Sequence, residues 1–391
     1  MKTMTDFSRF ERAEDYIPIG EPDITSLEKQ AVLDVLTRGW ITRGAECEAF
    51  EKEFCEITGS SHALAVNSGT AALHLALALH GIGPGDEVIL PSLTFAATAH
   101  VVVHQGATPV FAEIDPETYC LDPGHVESLI SPRTRAILPV HYAGHPANLD
   151  KFKALCEKHG LALIEDAAHA MGAGWKGSPI GSEGATACFS FYSNKNLSTG
   201  EGGMLVLPTE DLRDRAARLS LHGMDKDAWK RFGSEGDLRY EVREVGWKYN
   251  ANDLMAALGR VQLSRLTEMQ ARRGQSWDFY NEMFRDDGRL MVPPEVPEAV
   301  HARHLYVLQL SDESKASRDT VVNSLRSRSI GATVHYDPLH LHPAYRERFG
   351  TKEGMLPVTE RIASRIFSLP MHSKLTEQQV NRVSIEVLRL V

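Results

Sequence analysis

Between residues 60 and 210, short apolar runs alternate with segments of helical periodicity, and this alternation restricts the chain more than any other feature. His62–Val66, Glu87–Leu90, Thr108–Phe111, Ala136–Val140, Leu161–Ile164, Ala187–Phe191 and Met204–Leu207 read as strands. Gly69–His80, Phe95–His104 and Leu149–His159 read as helices between them, the first closed by Gly81. Strands separated by helices need crossover connections, so the expectation is an α/β fold with a large, mostly parallel sheet covered on both faces. Asp253 to Phe284 reads as one long or broken helical stretch containing Gly259 and Gly274. Pro293, Pro294 and Pro297 mark Val292–Pro297 as a linker or edge segment. His304–Leu310 then reads as a strand, Ser317–Arg328 as an amphipathic helix, and Thr359–Ile366 and Thr376–Leu390 as the last helices. The implied division is a large domain over 1–260 and a helix with a smaller C-terminal α/β domain over 261–391.

Composition removes several function classes. A chain of 391 residues suffices for two or three domains and a large core. Its 42 basic and 52 acidic side chains leave a net charge of −10, which argues against a nucleic-acid binder relying on a general positive field. No apolar stretch approaches the ~18 residues of a membrane span. The run from Ala71 to His80 is broken by His74. Met1 to Asp15 mixes Lys2, Asp6, Arg9, Glu11 and Arg12 and does not read as a secretory signal. Cys47, Cys55, Cys120, Cys156 and Cys188 contain no C-x-x-C spacing; reduced packing thiols of a cytoplasmic protein are expected, without a metal site.

Three strand ends carry chemistry. Asn67-Ser68-Gly69-Thr70-Ala71 opens a helix, either as a phosphate cradle or simply as an N-cap from Ser68 or Thr70. Asp166, in Ile164-Glu165-Asp166-Ala167-Ala168-His169, reads as a cap, a ribose ligand or a partner for a protonated ring nitrogen. Lys195 lies between a strand and the Gly200-Glu201-Gly202-Gly203 turn. On the surface it would be decoration; in a cleft its pKa falls and its amine becomes a nucleophile. A cradle, an acid and a lysine 29 residues further on are together the parts that pyridoxal phosphate needs. The lysine holds its aldehyde as a Schiff base, the acid keeps its pyridine nitrogen protonated, and the cradle holds its phosphate.

From about Ile19 onward the chain resembles the DegT/StrS family of pyridoxal-phosphate sugar aminotransferases, which have the aspartate aminotransferase fold (fold type I). The resemblance rests on Asn-Ser-Gly-Thr-Ala-Ala-Leu-His, Pro-Ser-Leu-Thr-Phe, Val-His-Tyr-Ala-Gly, Glu-Asp-Ala-Ala-His-Ala and Ser-Phe-…-Lys-Asn-Leu-…-Gly-Glu-Gly-Gly. It implies that Lys195 is the catalytic Schiff-base lysine, Asp166 the partner of the pyridine nitrogen, and His169 a neighbour of the cofactor's O3′. Gly69, Thr70 and Ser190 match phosphate ligands, with Ala71 beside them through its backbone. Phe95 matches the aromatic that stacks on the ring; without the resemblance it reads as a core residue. Gly246-Trp247-Lys248-Tyr249-Asn250 resembles the segment whose asparagine reaches the phosphate of the other subunit, which implies a homodimer with shared sites. Read alone, Asn250 is a helix cap before Ala251.

The retained Lys195 points to transamination, since a branch with histidine there dehydrates instead. His141-Tyr142-Ala143-Gly144, Arg38-Gly39-Trp40-Ile41-Thr42 and Trp247–Asn250 resemble enzymes of 4-keto sugars rather than of 3-keto sugars, with the branch making UDP-linked 4-amino-4-deoxy-arabinose nearest. The implied reaction moves the amino group of glutamate to the 4-keto carbon of a nucleotide-linked sugar, with no nucleic-acid or membrane partner. Amination of a C3 ketosugar, or of a cyclitol ketone such as an inosose, is an alternative, as is a cofactor-binding regulator without turnover. A nicotinamide dehydrogenase is disfavoured because Asn67–Thr70 lacks G-x-G-x-x-G. Candidate substrate contacts are His335, otherwise a strand histidine, then His222, Lys248 and Arg43, the last otherwise a surface arginine.

Overall fold

The computed structural model describes residues 15–182, 184, 186–225 and 240–391; the reading of the first fourteen residues lies outside them. The apolar runs become β1 (His62–Val66), β2 (Glu87–Pro91), β3 (Thr108–Ala112), β4 (Thr134–Ile137) and β5 (Ala162–Asp166). A short hairpin follows, β6 (Gly174–Trp175) and β7 (Ser178–Pro179), then β8 (Thr186–Ser190) and β9 (Gly203–Leu207). Seven of these form one sheet in the order β1-β9-β8-β5-β4-β2-β3. The pairs from β8 through β5, β4 and β2 to β3 are parallel. β9 is antiparallel to both β1 and β8, which makes the sheet mixed.

Side chains alternate across a strand, and the core divides accordingly. Leu64 and Val66 of β1 pack on one face of the sheet, with Val88, Leu90 and the Gly69–Leu79 helix. Ala63 and Ala65 pack on the other, with Ala187, Phe189 and Val206. The Gly69–Leu79 helix is buried nearly all round, which explains why its sequence carries no polar stripe. The strand ends of the large sheet agree with the expectation to within one residue except that β4 starts at Thr134 and stops at Ile137, and β5 runs on to Asp166.

The stretch after residue 252 is two helices, Asp253–Ser264 and Leu266–Phe284. They break at Arg265 and not at either glycine. The expected boundary at 260/261 falls inside the first of them. β10 (Leu290–Met291), β12 (Tyr306–Leu310) and β13 (Ile366–Leu369) form a small antiparallel sheet, while β11 (Ala299–Val300) joins the β6–β7 hairpin. Helices Arg318–Ser327 and Glu377–Leu390 close the core of the small sheet. The expected helix Thr359–Ile366 is a helix only over Pro357–Ala363; Ile366 already belongs to β13, where Phe367 and Leu369 are buried. The N-terminal segment crosses to this small unit, where Gly331 N–H donates to the Ile17 carbonyl (2.8 Å) and Met371 N–H to that of Ile19 (3.0 Å). Two further helices, Ser26–Arg38 and Ala45–Thr58, pack against Asp253–Ser264. No described helix is long and apolar enough to cross a membrane.

Candidate active site

The carboxyl ends of β1, β2, β5 and β8 open on one side of the sheet, where α/β folds place their ligands. A cavity of about 440 Å³ lies there. The segments that follow those strands line it: Ser68–Thr70, Thr94–Thr98, Asp166–His169 and Ser190–Lys195. His335 and Tyr336 close it from the C-terminal part of the chain.

Asp166, the last residue of β5, is 4% exposed. Its carboxylate accepts from the Thr98 hydroxyl (2.8 Å) and from the Ala168 N–H (3.1 Å). Because the Thr98 proton is committed to Asp166, the Thr94–Thr98 hydroxyl contact (2.8 Å) must be donated by Thr94. Burial pushes the Asp166 pKa up, against the pull of Thr98, Ala168 and Lys195.

Lys195 sits in the loop between β8 and β9. Phe191 N–H to the Gly202 carbonyl and Thr199 N–H to the Phe191 carbonyl, each 2.9 Å, close the neck of that loop. Lys195 N–H donates to the Tyr192 carbonyl (2.9 Å), so residues 192–195 form a tight turn. The half-buried side chain reaches the cavity wall. Removal from water lowers its pKa to about 8, with the Asp166 carboxylate pulling the other way.

At the start of the Gly69–Leu79 helix, Ser68 is the N-cap and accepts the Ala71 N–H (3.1 Å). The cap and the cradle coexist, because a first helical turn leaves the N–H groups of Gly69 and Thr70 without helical acceptors. A Cβ on Gly69 would stand 2.8 Å from the Ser190 Cβ, and one on Gly203 would stand 2.6 Å from the Ser68 carbonyl carbon. Strand and helix therefore meet backbone to backbone, and no side chain fills the space between Gly69, Thr70 and Ser190. That cradle, Asp166 and Lys195 in one cavity are a donor set that fits pyridoxal phosphate.

The remaining wall is aromatic. Phe95 is 60% exposed at the cavity, immediately before the Ala96–His104 helix, so it is not a core residue. Its ring lies 6.0 Å from that of Tyr336, which stacks in turn on His169 at 6.3 Å and 22°. The Ala143 N–H donates to His169 Nδ1 (3.3 Å), and burial drives the His169 pKa well down. The ring is therefore neutral with its proton on Nε2, facing the Tyr336 hydroxyl at 3.3 Å. A buried network ties these walls together: Ser92 Oγ meets His340 Nδ1 (2.7 Å) and His340 Nε2 meets Glu360 (2.9 Å).

His335 lines the cavity, with Nδ1 on Ser368 Oγ (2.8 Å). Asn250, Lys248, His222 and Arg43 are not among the residues lining it. Asn250 pairs with Val66 as an isolated bridge, and its side-chain Oδ1 accepts from Lys248 Nζ. It is not the helix cap: Asn252 takes that place by accepting the Met255 N–H (2.9 Å). Arg43 is neither a surface residue nor open to an anion, because Glu51 binds its guanidinium at two points (2.8 and 3.0 Å). Sequence reasoning missed Thr98, Tyr336 and Asn194. Thr98 stands three residues beyond the Pro91–Phe95 motif, outside the stretch that carried the signal.

Comparison with known proteins agrees with this geometry. Residues 22–388 match the model of the DegT/DnrJ/EryC1/StrS aminotransferase family. The chain is 45% identical over 377 residues to the spore coat polysaccharide biosynthesis protein SpsC of Bacillus subtilis, covering 96% of each. Among solved structures it is similar to the pyridoxamine-phosphate form of the putative sugar aminotransferase Spr1654 of Streptococcus pneumoniae, with a TM-score of 0.90, 32% identity, and coverage of 96% of this chain and 98% of that one. It is also similar to Helicobacter pylori PseC, an aminotransferase involved in the biosynthesis of pseudoaminic acid, with a TM-score of 0.89, 30% identity, and coverage of 96% and 99%.

Proposed function

The chain belongs to the DegT/DnrJ/EryC1/StrS family of pyridoxal-phosphate-dependent sugar aminotransferases, and on that premise we propose that it transfers the amino group of glutamate to the 4-keto carbon of a nucleotide-linked sugar. The observation that carries the reading is Lys195 facing Asp166 and the Gly69–Ser190 cradle across one cavity. The His141-Tyr142-Ala143-Gly144 segment, which resembles that of enzymes acting on 4-keto sugars, is the support for the position aminated.

Gly69, Thr70, Ser190 and the backbone of Ala71 would hold the cofactor's phosphate, Phe95 one face of its ring, and His169 its ring edge. When bound, pyridoxal phosphate supplies the electron sink that makes a proton at the amino carbon removable. Asp166 holds the proton on the pyridine nitrogen through a carboxylate that water does not reach. Lys195 Nζ would take the proton from glutamate's Cα and pass it to the cofactor; in the second half-reaction it would take that proton back and deliver it to the sugar carbon. Two substrates using one lysine in turn give ping-pong kinetics. His335 is the sugar contact from this chain. Asn250, with Lys248 and the neighbouring His222, is read as reaching the cavity of a second copy, in a homodimer with shared sites. All five cysteines are free thiols, and we place the reaction in the cytoplasm.

Assay of UDP-, dTDP- and GDP-linked 4-keto sugars, a 3-keto sugar and an inosose, with product NMR, tests the reading. An amine at C4 supports it; turnover of only the 3-keto sugar or the inosose overturns it.

Two predictions follow from the electrostatics. In the cofactor-free protein, the rate of pyridoxal-phosphate uptake at Lys195 rises about tenfold per pH unit below pH ~8 and levels off above it, because only the neutral amine attacks. Stopped-flow absorbance checks this; continued rise to pH 10 would show an ordinary lysine. Thr98→Val removes a hydrogen bond to a buried carboxylate, worth about 1.5 kcal/mol, so kcat/KM falls roughly tenfold. The lost hydroxyl favoured the charged form, so the Asp166 pKa rises and the acid limb of the pH profile moves to higher pH. An unshifted limb would mean that Thr98 does not govern Asp166.

A further inference from the structure

Asn194 immediately precedes Lys195 and lines the same cavity, yet nothing in the reaction derived above uses it. Its backbone and Cβ are fixed twice. The Tyr192–Lys195 turn holds its backbone. Gly20 packs against its side chain so closely that a Cβ on the glycine would stand 3.2 Å from the Asn194 Cβ. Gly20 cannot retreat easily, because Ile17 and Ile19 are bonded to Gly331 and Met371. In this setting the Asn194 Oδ1 is sealed from solvent and has no hydrogen-bond partner among the described residues. A buried acceptor left unmet is a cost that folded chains rarely retain without a use. The amide torsion of asparagine is broad, so rotation about that torsion alone would bring the oxygen to the cavity with the backbone in place.

What it would meet there follows from hydrogen-bond polarity. An amide oxygen needs a donor. Glutamate's carboxylates are acceptor-only, and its ammonium is the group being transferred. A sugar ketone instead carries a hydroxyl donor on a carbon flanking the carbonyl, C3 in a 4-ketopyranose. We propose that Asn194 is a substrate-reading residue of the sugar half-reaction, its carboxamide accepting from a hydroxyl next to the carbon that receives the amine. This rests on the reading of the substrate as a sugar ketone and adds to it a named contact.

The two half-reactions separate the proposal from a structural role. The pyridoxal-phosphate form is mixed with glutamate, and the pyridoxamine-phosphate form with a dTDP-linked 4-keto-6-deoxyhexose, its UDP counterpart or scyllo-inosose, each followed by cofactor absorbance in single turnovers. In Asn194→Ala the sugar half-reaction loses about tenfold in kcat/KM, while the glutamate half-reaction stays within about twofold. Asn194→Asp keeps an acceptor and retains most of the sugar rate. A substrate analogue lacking the flanking hydroxyl costs the native protein the same factor and costs Asn194→Ala nothing more. An equal fall in both half-reactions, or an alanine variant as fast as the native protein on a reacting ketone, overturns the proposal alone. A native protein that reacts with glutamate but with none of the three ketones overturns the sugar-ketone reading and this inference with it.

Discussion

Lys195→Ala yields a folded protein that binds pyridoxal phosphate only reversibly, lacks the yellow absorbance of the lysine-linked cofactor, and turns over at least about 10⁴-fold more slowly. Two losses combine: the covalent anchor and the only cavity lysine among the described residues able to carry a proton between substrate carbons. Folding should survive, because the lysine side chain is half-buried at a cavity wall and the turn that carries it is closed by backbone bonds. Lys195→Arg should be no better, since a guanidinium stays charged and cannot act as the base. Absorbance spectra and turnover assays check both variants, and full activity in either would sink the mechanism.

Asp166→Asn should keep the cofactor linked to Lys195 yet lower kcat by about 10²–10³. The amide oxygen can still accept from Thr98 and Ala168, so the local geometry holds. What disappears is the buried negative charge that keeps the ring nitrogen protonated. The spectrum of the bound cofactor reports the linkage, and single turnovers with glutamate report the rate. A variant with native kcat would show that the ring nitrogen needs no carboxylate.

The parts of the site that were legible in the sequence are those written in contiguous stretches. Gly69–Thr70, Asp166–His169 and Ser190–Lys195 each follow a strand directly, so the strand end and the chemistry are read together. Thr98 was hidden inside an apolar helix, where its hydroxyl serves an acid 68 positions away. Tyr336 was hidden because no short-range pattern links it to His169, which it meets across two parts of the chain. The two asparagines 250 and 252 show a limit of cap reasoning: both have the right side chain, and only Asn252 has its oxygen over the third N–H of the helix. Helix Ser26–Arg38 went unread although Thr25 and Glu28 form a complete capping box. β13 went unread, its first residue Ile366 being taken into the preceding helix, because a short apolar run such as Ile366–Leu369 has no period of its own.

The tie from Ser92 through His340 to Glu360 fastens the loop bearing Phe95 to the segment bearing Tyr336. The backbones that carry those two rings are thereby held against each other. On the proposed reading of the substrate as a sugar ketone, discrimination among sugars would fall to Tyr192, Asn194 and Glu201, which line the cavity from one loop. Such an arrangement would let substrate preference be altered by exchanging a few side chains on that loop, without touching Lys195, Asp166 or the phosphate cradle.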